Sequence, residues 1–139
     1  MSRPGFTLLE LIAIVVILGI LAAVGLPRYT RTIERTYRQE AQDILLTIYH
    51  GQRSFYLTNN AYLGSLNQSS SNSEWRKIFM ENPNLGSIPV RFTVAASGSG
   101  ATATFTATAE KVGGSCGGKT LQITQTRAVT DTWPSSGDC

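Results

Sequence analysis

The chain has 139 residues, a formal net charge of +3, two cysteines and one histidine. This length allows one small domain and excludes a large enzyme core. The mild basic balance does not by itself call for a nucleic acid or an acidic partner.

An apolar run dominates the N-terminal region. It covers residues 6–26 and contains a single ionisable side chain, that of Glu10. As a helix rising about 1.5 Å per residue, the run would be about 30 Å long, the thickness of a bilayer's hydrocarbon core. Because a helix satisfies its backbone hydrogen bonds internally, it is the structure expected for such a run in lipid. The run therefore predicts a membrane helix.

Glu10 is unusual in this helix, because a charge at the bilayer centre costs about 2.5–3.5 kcal/mol. One interpretation is an interfacial carboxylate that extends to water. The other is a carboxylate that neutralises a cation of a neighbouring subunit. Cleavage between Gly5 and Phe6 would create such a cation, because the new α-amino group would lie one turn before Glu10.

The stretch GFTLLELIAIVVILGILAAVGLPRY, which begins at Gly5, resembles the N-terminus of type IV pilins and of type II secretion pseudopilins. The resemblance implies that a prepilin peptidase cleaves after Gly5 and that Phe6 is then N-methylated. It also implies that Glu10 guides docking into the filament. Gly19 and Pro27 match positions that bound the segment which loses helical form when pilins assemble.

The predicted leader, residues 1–5, is too short for a conventional secretory signal, so the mature protein is expected to keep its membrane segment. Four arginines follow the apolar run between residues 28 and 38 and one precedes it, which would favour a cytoplasmic C-terminal side. We nevertheless expect export of that side. Glutamates interleave with the arginines, the cysteine pair favours an oxidising compartment, and the leader motif implies processing on the cytoplasmic face.

After Pro27 the polarity changes, but apolar residues still recur mostly every three or four positions. They are Tyr29, Ile33, Tyr37, Ala41, Ile44, Ile48 and Phe55. This spacing predicts an amphipathic helix over residues 28–58, with one apolar stripe and with Glu34 among the polar residues of its other faces. The pair Asn59–Asn60 favours the left-handed conformation that closes helices, so the predicted helix ends near Thr58.

A proline inside a continuous helix removes one backbone hydrogen bond and bends the axis. A hinge is therefore predicted at Gly25 and Pro27, and the resemblance adds Gly19. The predicted chain has four parts: a leader (1–5), a hydrophobic transmembrane or filament-core helix (6–27), the amphipathic half of the helix (28–58) and a globular head (59–139).

The head begins with polar sequence. Gly64–Glu74 lacks apolar periodicity and is expected to be exposed and mobile. Residues 74–81 then place Trp75, Ile78 and Phe79 at i, i+3 and i+4. This spacing predicts a short helix that packs under the interface between the long helix and a sheet. The asparagine and proline that follow are expected to end it.

From residue 90 onward the period becomes two, which indicates strands. The inward-facing set is predicted to be Val90, Phe92, Val94, Ala96, Ala101, Ala103, Phe105, Ala107, Ala109, Leu121 and Ile123. Ser97–Gly100 is expected to join the first two strands, and Val129–Cys139 to run back irregularly. The apolar stripe of the long helix is the natural cover for this face. We therefore predict an α+β type IV pilin fold, a long N-terminal helix on an antiparallel sheet of three to four strands.

Cys116 and Cys139 lie 23 positions apart and lack the CxxC spacing of zinc and haem sites. A disulfide between them is predicted, and it would contribute about 3 kcal/mol in the chain-entropy model. Such a bond fits the periplasm or the cell surface. In the family that the N-terminus resembles, a disulfide frequently bounds the C-terminal region. Trp133 within this region is expected to be a packing anchor.

Residues for catalysis are not apparent. His50, the single histidine, is expected at the solvent edge of the helix, and no Ser–His–Asp set or metal cluster forms around it. The carboxylates show no pair placed for acid–base work, and no glycine-rich phosphate loop follows a strand. We therefore predict no enzyme and no catalytic, cofactor-binding or metal-binding residues.

The predicted function is a structural subunit of a type IV pilus, with a type II secretion pseudopilin and a minor pilin or membrane-anchored surface-binding module as alternatives. The resemblance implies four partners: copies of the chain, a prepilin peptidase, an inner-membrane assembly platform, and lipid before assembly. The predicted location is the inner membrane, then an extracellular pilus or a periplasmic pseudopilus. DNA or surface binding has no support from the sequence, because the head's basic residues are dispersed. They are Arg76, Lys77, Arg91, Lys111, Lys119 and Arg127.

Overall fold

The computed structural model describes residues 5–139, so the predicted leader lies outside the described residues except for Gly5. The elements are α1 (Leu8–Asn59), α2 (Asn72–Trp75), β1 (Val90–Ser97), β2 (Thr104–Lys111), β3 (Thr120–Thr124) and β4 (Val129–Asp131), with 3-10 turns at Arg76–Ile78, Pro83–Leu85 and Gly100–Thr102. The strands form one antiparallel sheet in the order β1-β2-β3-β4. The predicted α+β pilin-like architecture is confirmed.

Residues suited to helix termini bound α1. Thr7 is the N-cap, and its hydroxyl oxygen accepts a hydrogen bond from the Glu10 N–H. At the other end, Asn60 takes the left-handed conformation with φ of 52° and donates its N–H to the Tyr56 carbonyl. The helix is continuous through Pro27 and ends one residue beyond the predicted Thr58.

The second half of α1 packs its apolar stripe on the sheet. Ala41, Leu45 and Ile48 are almost completely buried there. Tyr29, predicted to begin the stripe, is exposed, because the head covers α1 only from about Ile33 onward. Burial of this stripe against β2 and β3 is the main apolar contribution that holds the helix to the head.

The strand register aligns the buried residues in rows. Phe92 lies opposite Ala109, and Ala109 lies opposite Leu121 on the next strand. The predicted inward alternation is confirmed along β1, β2 and β3. Ala101 is an exception and is exposed, because Gly100–Thr102 forms a 3-10 turn and β2 begins only at Thr104.

The region after β3 is more regular than predicted. Val129–Asp131 pairs with β3 as an edge strand, so the irregular course expected for Val129–Cys139 is wrong for these three residues. The hairpin closes because Arg127 adopts φ of 61° and donates its N–H to the carbonyl of Thr124. Single polar residues tolerate such a conformation in turns, and the sequence gives little signal for this one.

The short helix predicted over residues 74–81 begins earlier and ends earlier. A capping box between Ser71 and Glu74 starts α2 at Asn72, and the following 3-10 turn ends at Ile78. Trp75 and Ile78 are buried as predicted. The prediction is wrong for Phe79, whose left-handed backbone turns its side chain away from the core.

The loop over residues 64–74 is also more ordered than expected. Leu66 is buried and exchanges two backbone hydrogen bonds with Val94, at 2.8 and 3.1 Å. The buried Gln52 side chain of α1 forms two further hydrogen bonds with the segment that follows the helix. Its amide nitrogen donates to the Leu63 carbonyl, and its amide oxygen accepts from the Leu63 N–H. These bonds fix the connection between α1 and β1, so the expectation of an exposed, mobile loop fails at Leu66.

Candidate functional site

The predicted processing and assembly residues lie at and just before the N-terminal end of α1. Phe6 precedes the helix and is exposed. The Glu10 carboxylate accepts hydrogen bonds of 2.9 Å from both the backbone N–H and the hydroxyl of Thr7. In the single chain, therefore, the carboxylate caps its own helix, as acidic side chains do at position N3.

The apolar half of α1 is uncovered. From Leu8 to Leu26 every residue is exposed, and the segment is long and apolar enough to cross a bilayer. Exposed apolar patches of this size indicate a membrane or a protein interface. The head cannot supply the cover, because its core lies entirely against the other half of the helix.

The residues of the predicted hinge lie in this uncovered part. A side chain at Gly19 or Gly25 would meet no other group of the described part of the chain, so neither glycine is required for packing there. Pro27 sits inside an uninterrupted helix, and its carbonyl accepts a hydrogen bond from the Thr30 hydroxyl. Hinge motion at these positions remains a prediction.

Three arginines of α1 hold the C-terminal segment, residues 131–139. Arg31 pairs with the Asp138 carboxylate at 2.6 Å, and Arg35 donates to the Ser136 carbonyl at 2.6 Å. Arg38 donates to the Trp133 carbonyl at 2.9 Å and pairs with Asp131. These three arginines therefore anchor the chain's own C-terminal segment to α1.

A buried ion pair lies under this segment. Glu34, predicted on a polar face, is only 6% exposed, and its Oε1 atom lies 3.6 Å from Nζ of Lys111. Lys111 Nζ also donates to the Gly113 carbonyl at 2.7 Å and lies 5.4 Å from the centre of the Tyr37 ring. Among residues 5–139, the second oxygen of Glu34 has no hydrogen-bond partner.

Sequence reasoning missed this pair, although two signals were present. Glu34 precedes the buried Ala41 by seven residues, so it lies on the same helix face. Lys111 continues the inward alternation of β2 beyond Ala107 and Ala109. The pair is buried because α1 packs on β2 at this end of the sheet, which brings the two residues onto facing surfaces.

The predicted disulfide is confirmed. Cys116 and Cys139 are bonded, with their Cα atoms 5.2 Å apart. Cys116 is buried in the core, so the bond attaches the C-terminus to the loop between β2 and β3. Trp133 is also fully buried, which confirms its role as a packing anchor.

Carboxylates neutralise part of the basic surface of the head. Arg76 pairs with Glu81 at 3.1 Å and Arg91 with Glu110 at 3.7 Å. Near the C-terminal end of α1, the Arg53 guanidinium donates a hydrogen bond to the hydroxyl of Tyr62. This hydrogen bond raises the pKa of the guanidinium.

The remaining exposed cations of the head are separated along the chain: Lys77 lies in the 3-10 turn Arg76–Ile78, Lys119 before β3 and Arg127 between β3 and β4. Across residues 5–139, no group of three or more histidine, cysteine, aspartate and glutamate side chains is placed to hold a metal ion. His50 is exposed on α1, as predicted.

Two protein-family models match the chain, one over its N-terminal apolar region and one over most of the remainder. The family model for "Type IV minor pilin ComP, DNA uptake sequence receptor" matches residues 27–121, and the model for the prokaryotic N-terminal methylation motif matches residues 1–26. The type IV major pilin protein PilA of Myxococcus xanthus (strain DK1622) is 38% identical over 64 residues. That alignment covers 46% of this chain and 29% of PilA, so the chain spans less than a third of this relative's length. No solved structure matches.

Proposed function

This chain belongs to the type IV pilin family represented by the minor pilin ComP, and we propose that it is a subunit of a type IV pilus that polymerises through its N-terminal helix. It would enter the inner membrane as a prepilin, lose its leader after Gly5 and carry an N-methylated Phe6. The filament would serve adhesion, motility or DNA uptake.

The observation that supports this proposal best is the division of α1. Its first half is apolar and uncovered, whereas its second half packs into the core of a disulfide-bonded head. A membrane stores the uncovered half at low free energy before assembly. In a filament the same side chains would pack on one another, and helix–helix contacts would replace their contacts with lipid.

Glu10 would change partners during assembly. In the single chain its carboxylate is satisfied by Thr7. Cleavage after Gly5 creates a cationic amine at Phe6, and a charged donor forms a stronger hydrogen bond with a carboxylate than a neutral one does. We therefore propose that Glu10 of one subunit pairs with the Phe6 amine of another, which sets the relative positions of neighbouring helices.

The partners follow from this sequence of events. They are lipid and a prepilin peptidase before assembly, an inner-membrane platform during it, and copies of the chain in the filament. The proposed hinge at Gly19, Gly25 and Pro27 would let the apolar half change direction relative to the head. Localisation would change from a single-pass inner-membrane protein to an extracellular pilus.

Negative-stain electron microscopy of cells with and without the gene product tests the proposal. Surface filaments that disappear with the protein and return on complementation are expected. Filaments confined to the periplasm would support the alternative of a type II secretion pseudopilin. Mass spectrometry of purified filaments should find a chain that begins with methylated Phe6, and an intact leader or an unmethylated amine would contradict the processing part.

DNA binding is a second candidate function, favoured by the family model that matches most of the head. A fluorescent duplex titrated with the purified protein tests it. Because Lys77, Lys119 and Arg127 lie on separate segments of the head, we expect that any binding weakens with salt by a slope that reflects few phosphate contacts. Absence of binding at low salt would exclude this function and leave the filament proposal intact.

A further inference from the structure

Phe79 is exposed although the sequence predicts a core residue. Its side chain is 76% exposed and its φ is 63°, a region that bulky residues rarely occupy. The residue closes the 3-10 turn Arg76–Ile78 by donating its N–H to the Arg76 carbonyl at 3.0 Å. Glycine is the usual residue at such a position. Strained backbone of this kind concentrates at functional sites, so the displayed phenyl ring requires an explanation.

The ring forms one wall of an open recess beside α1. The recess has a volume of about 260 Å³ and is lined by Thr47, His50, Gly51, Ser54, Ile78 and Phe79. The Thr47 hydroxyl donates to the carbonyl of Asp43 at 3.0 Å, which leaves the methyl group of Thr47 available to a partner. None of the lining residues is a lysine, an arginine or a carboxylate, so the recess suits an apolar partner better than a phosphate.

We propose that this recess receives the apolar N-terminal helix of a second copy of the chain. The inference rests on the proposed pilus function and adds a specific contact to it. The chain itself carries an apolar helix, Leu8–Leu26, that its own head leaves uncovered. Once that helix leaves lipid it needs apolar neighbours, and the phenyl ring of Phe79 supplies one at the side of another subunit's helix.

The displacement between two parallel copies decides which part of the partner's helix would reach the recess. The recess is centred near His50, and Val24 lies 26 residues earlier on the same helix. At about 1.5 Å per residue these positions are roughly 40 Å apart. A parallel copy displaced by that distance along the axis would place its Val24, and Leu21 one turn below, beside Phe79. Both side chains are more than half exposed in the single chain.

Substitution of Phe79 separates this role from folding. Phe79→Gly relieves the left-handed backbone, so the Tm of the full chain in detergent should stay the same or rise. The amount of surface filament should nevertheless fall at least about tenfold. Phe79→Leu keeps an apolar side chain and should retain filaments. Val112→Ala removes exposed apolar surface elsewhere on the head and should have no effect on filament amount.

A photo-crosslinking residue at position 79 identifies the partner directly. In filaments it should give dimers whose joined peptide lies within residues 6–26 of the second copy. The same crosslinker at Thr104, at the start of β2 on the outer face of the sheet, should not reach that segment.

Normal filament amounts with Phe79→Gly, or adducts at position 79 that map only to head residues, would overturn the inference while the filament proposal stands. If the wild-type protein forms no filaments, both this inference and the filament proposal are overturned.

Discussion

Lys111 on β2 and Glu34 on α1 form an ion pair that is almost completely removed from solvent. Their charged atoms lie 3.6 Å apart, and Gly114 packs so closely on the pair that a side chain there would approach the Glu34 carboxylate within 2.9 Å. The pair therefore connects the spine helix, the edge of the core and the loop that carries Cys116. It positions the part of the head to which the C-terminus is bonded.

Removing one member of this pair should destabilise the head strongly. Lys111→Met leaves the Glu34 carboxylate buried without a counter-charge, a change that typically costs about 3–5 kcal/mol. The double variant Glu34→Gln, Lys111→Met removes both charges and should be more stable than Lys111→Met alone. Denaturant unfolding of the four proteins of this cycle measures the coupling. Strictly additive losses would show that the two side chains do not stabilise each other.

Gly51 should be required for packing and not for helix formation. A side chain at this position would overlap the carbonyl of Ile78, because the 3-10 turn crosses α1 at that point. Gly51→Ala should therefore lower the free energy of unfolding by about 1–3 kcal/mol, although alanine is the better helix former. Ser54→Ala, on the exposed side of the same helix, is the matched control and should be neutral. A Gly51→Ala protein as stable as wild type would mean that the turn can move away without cost.

The disulfide should also contribute to the free energy of unfolding of the head. Cys139→Ser opens the loop of the bond and should lower the free energy of unfolding by about 3 kcal/mol in the chain-entropy model. Cys116→Ser should cost at least as much, because Cys116 is buried and a hydroxyl there lacks an arranged partner. Thermal unfolding with and without reductant checks both values. A wild-type Tm that reductant leaves unchanged would contradict this contribution.

The fold could be predicted because two periods dominate the sequence. Recurrence at three or four positions identified the amphipathic half of α1, the pair Asn59–Asn60 placed its end to within one residue, and alternation identified the inner faces of β1, β2 and β3. Local rules failed where tertiary contacts decide. The burial of Glu34 depends on Lys111 from a distant strand, and the burial of Leu66 depends on pairing with Val94.

The candidate site was predictable to a different extent. Gly5, Phe6 and Glu10 follow from a sequence motif, and the structure adds the bonds between Glu10 and Thr7. Phe79 could not be identified, because its apolar spacing indicates a core position. Its exposure results from a left-handed turn that a phenylalanine does not normally adopt.

The central claim is that the Glu10 carboxylate acts in filament assembly. Glu10→Ala removes it, and in a filament core the amine of a neighbouring Phe6 would remain without a counter-charge at a cost of about 3–5 kcal/mol per subunit. Because Glu10 lies outside the head, the Tm of the head should not change. Glu10→Gln separates charge from capping, since glutamine preserves the hydrogen bonds with Thr7 but carries no charge.

The most direct measurement is therefore electron microscopy of cells whose sole copy of this protein carries Glu10→Gln. The account predicts wild-type levels of processed, membrane-inserted protein and no filaments, with filaments recovered only when wild-type subunits are co-expressed. Full-length filaments built from Glu10→Gln subunits alone would show that the charge of this carboxylate is dispensable, and the proposed assembly mechanism would be wrong.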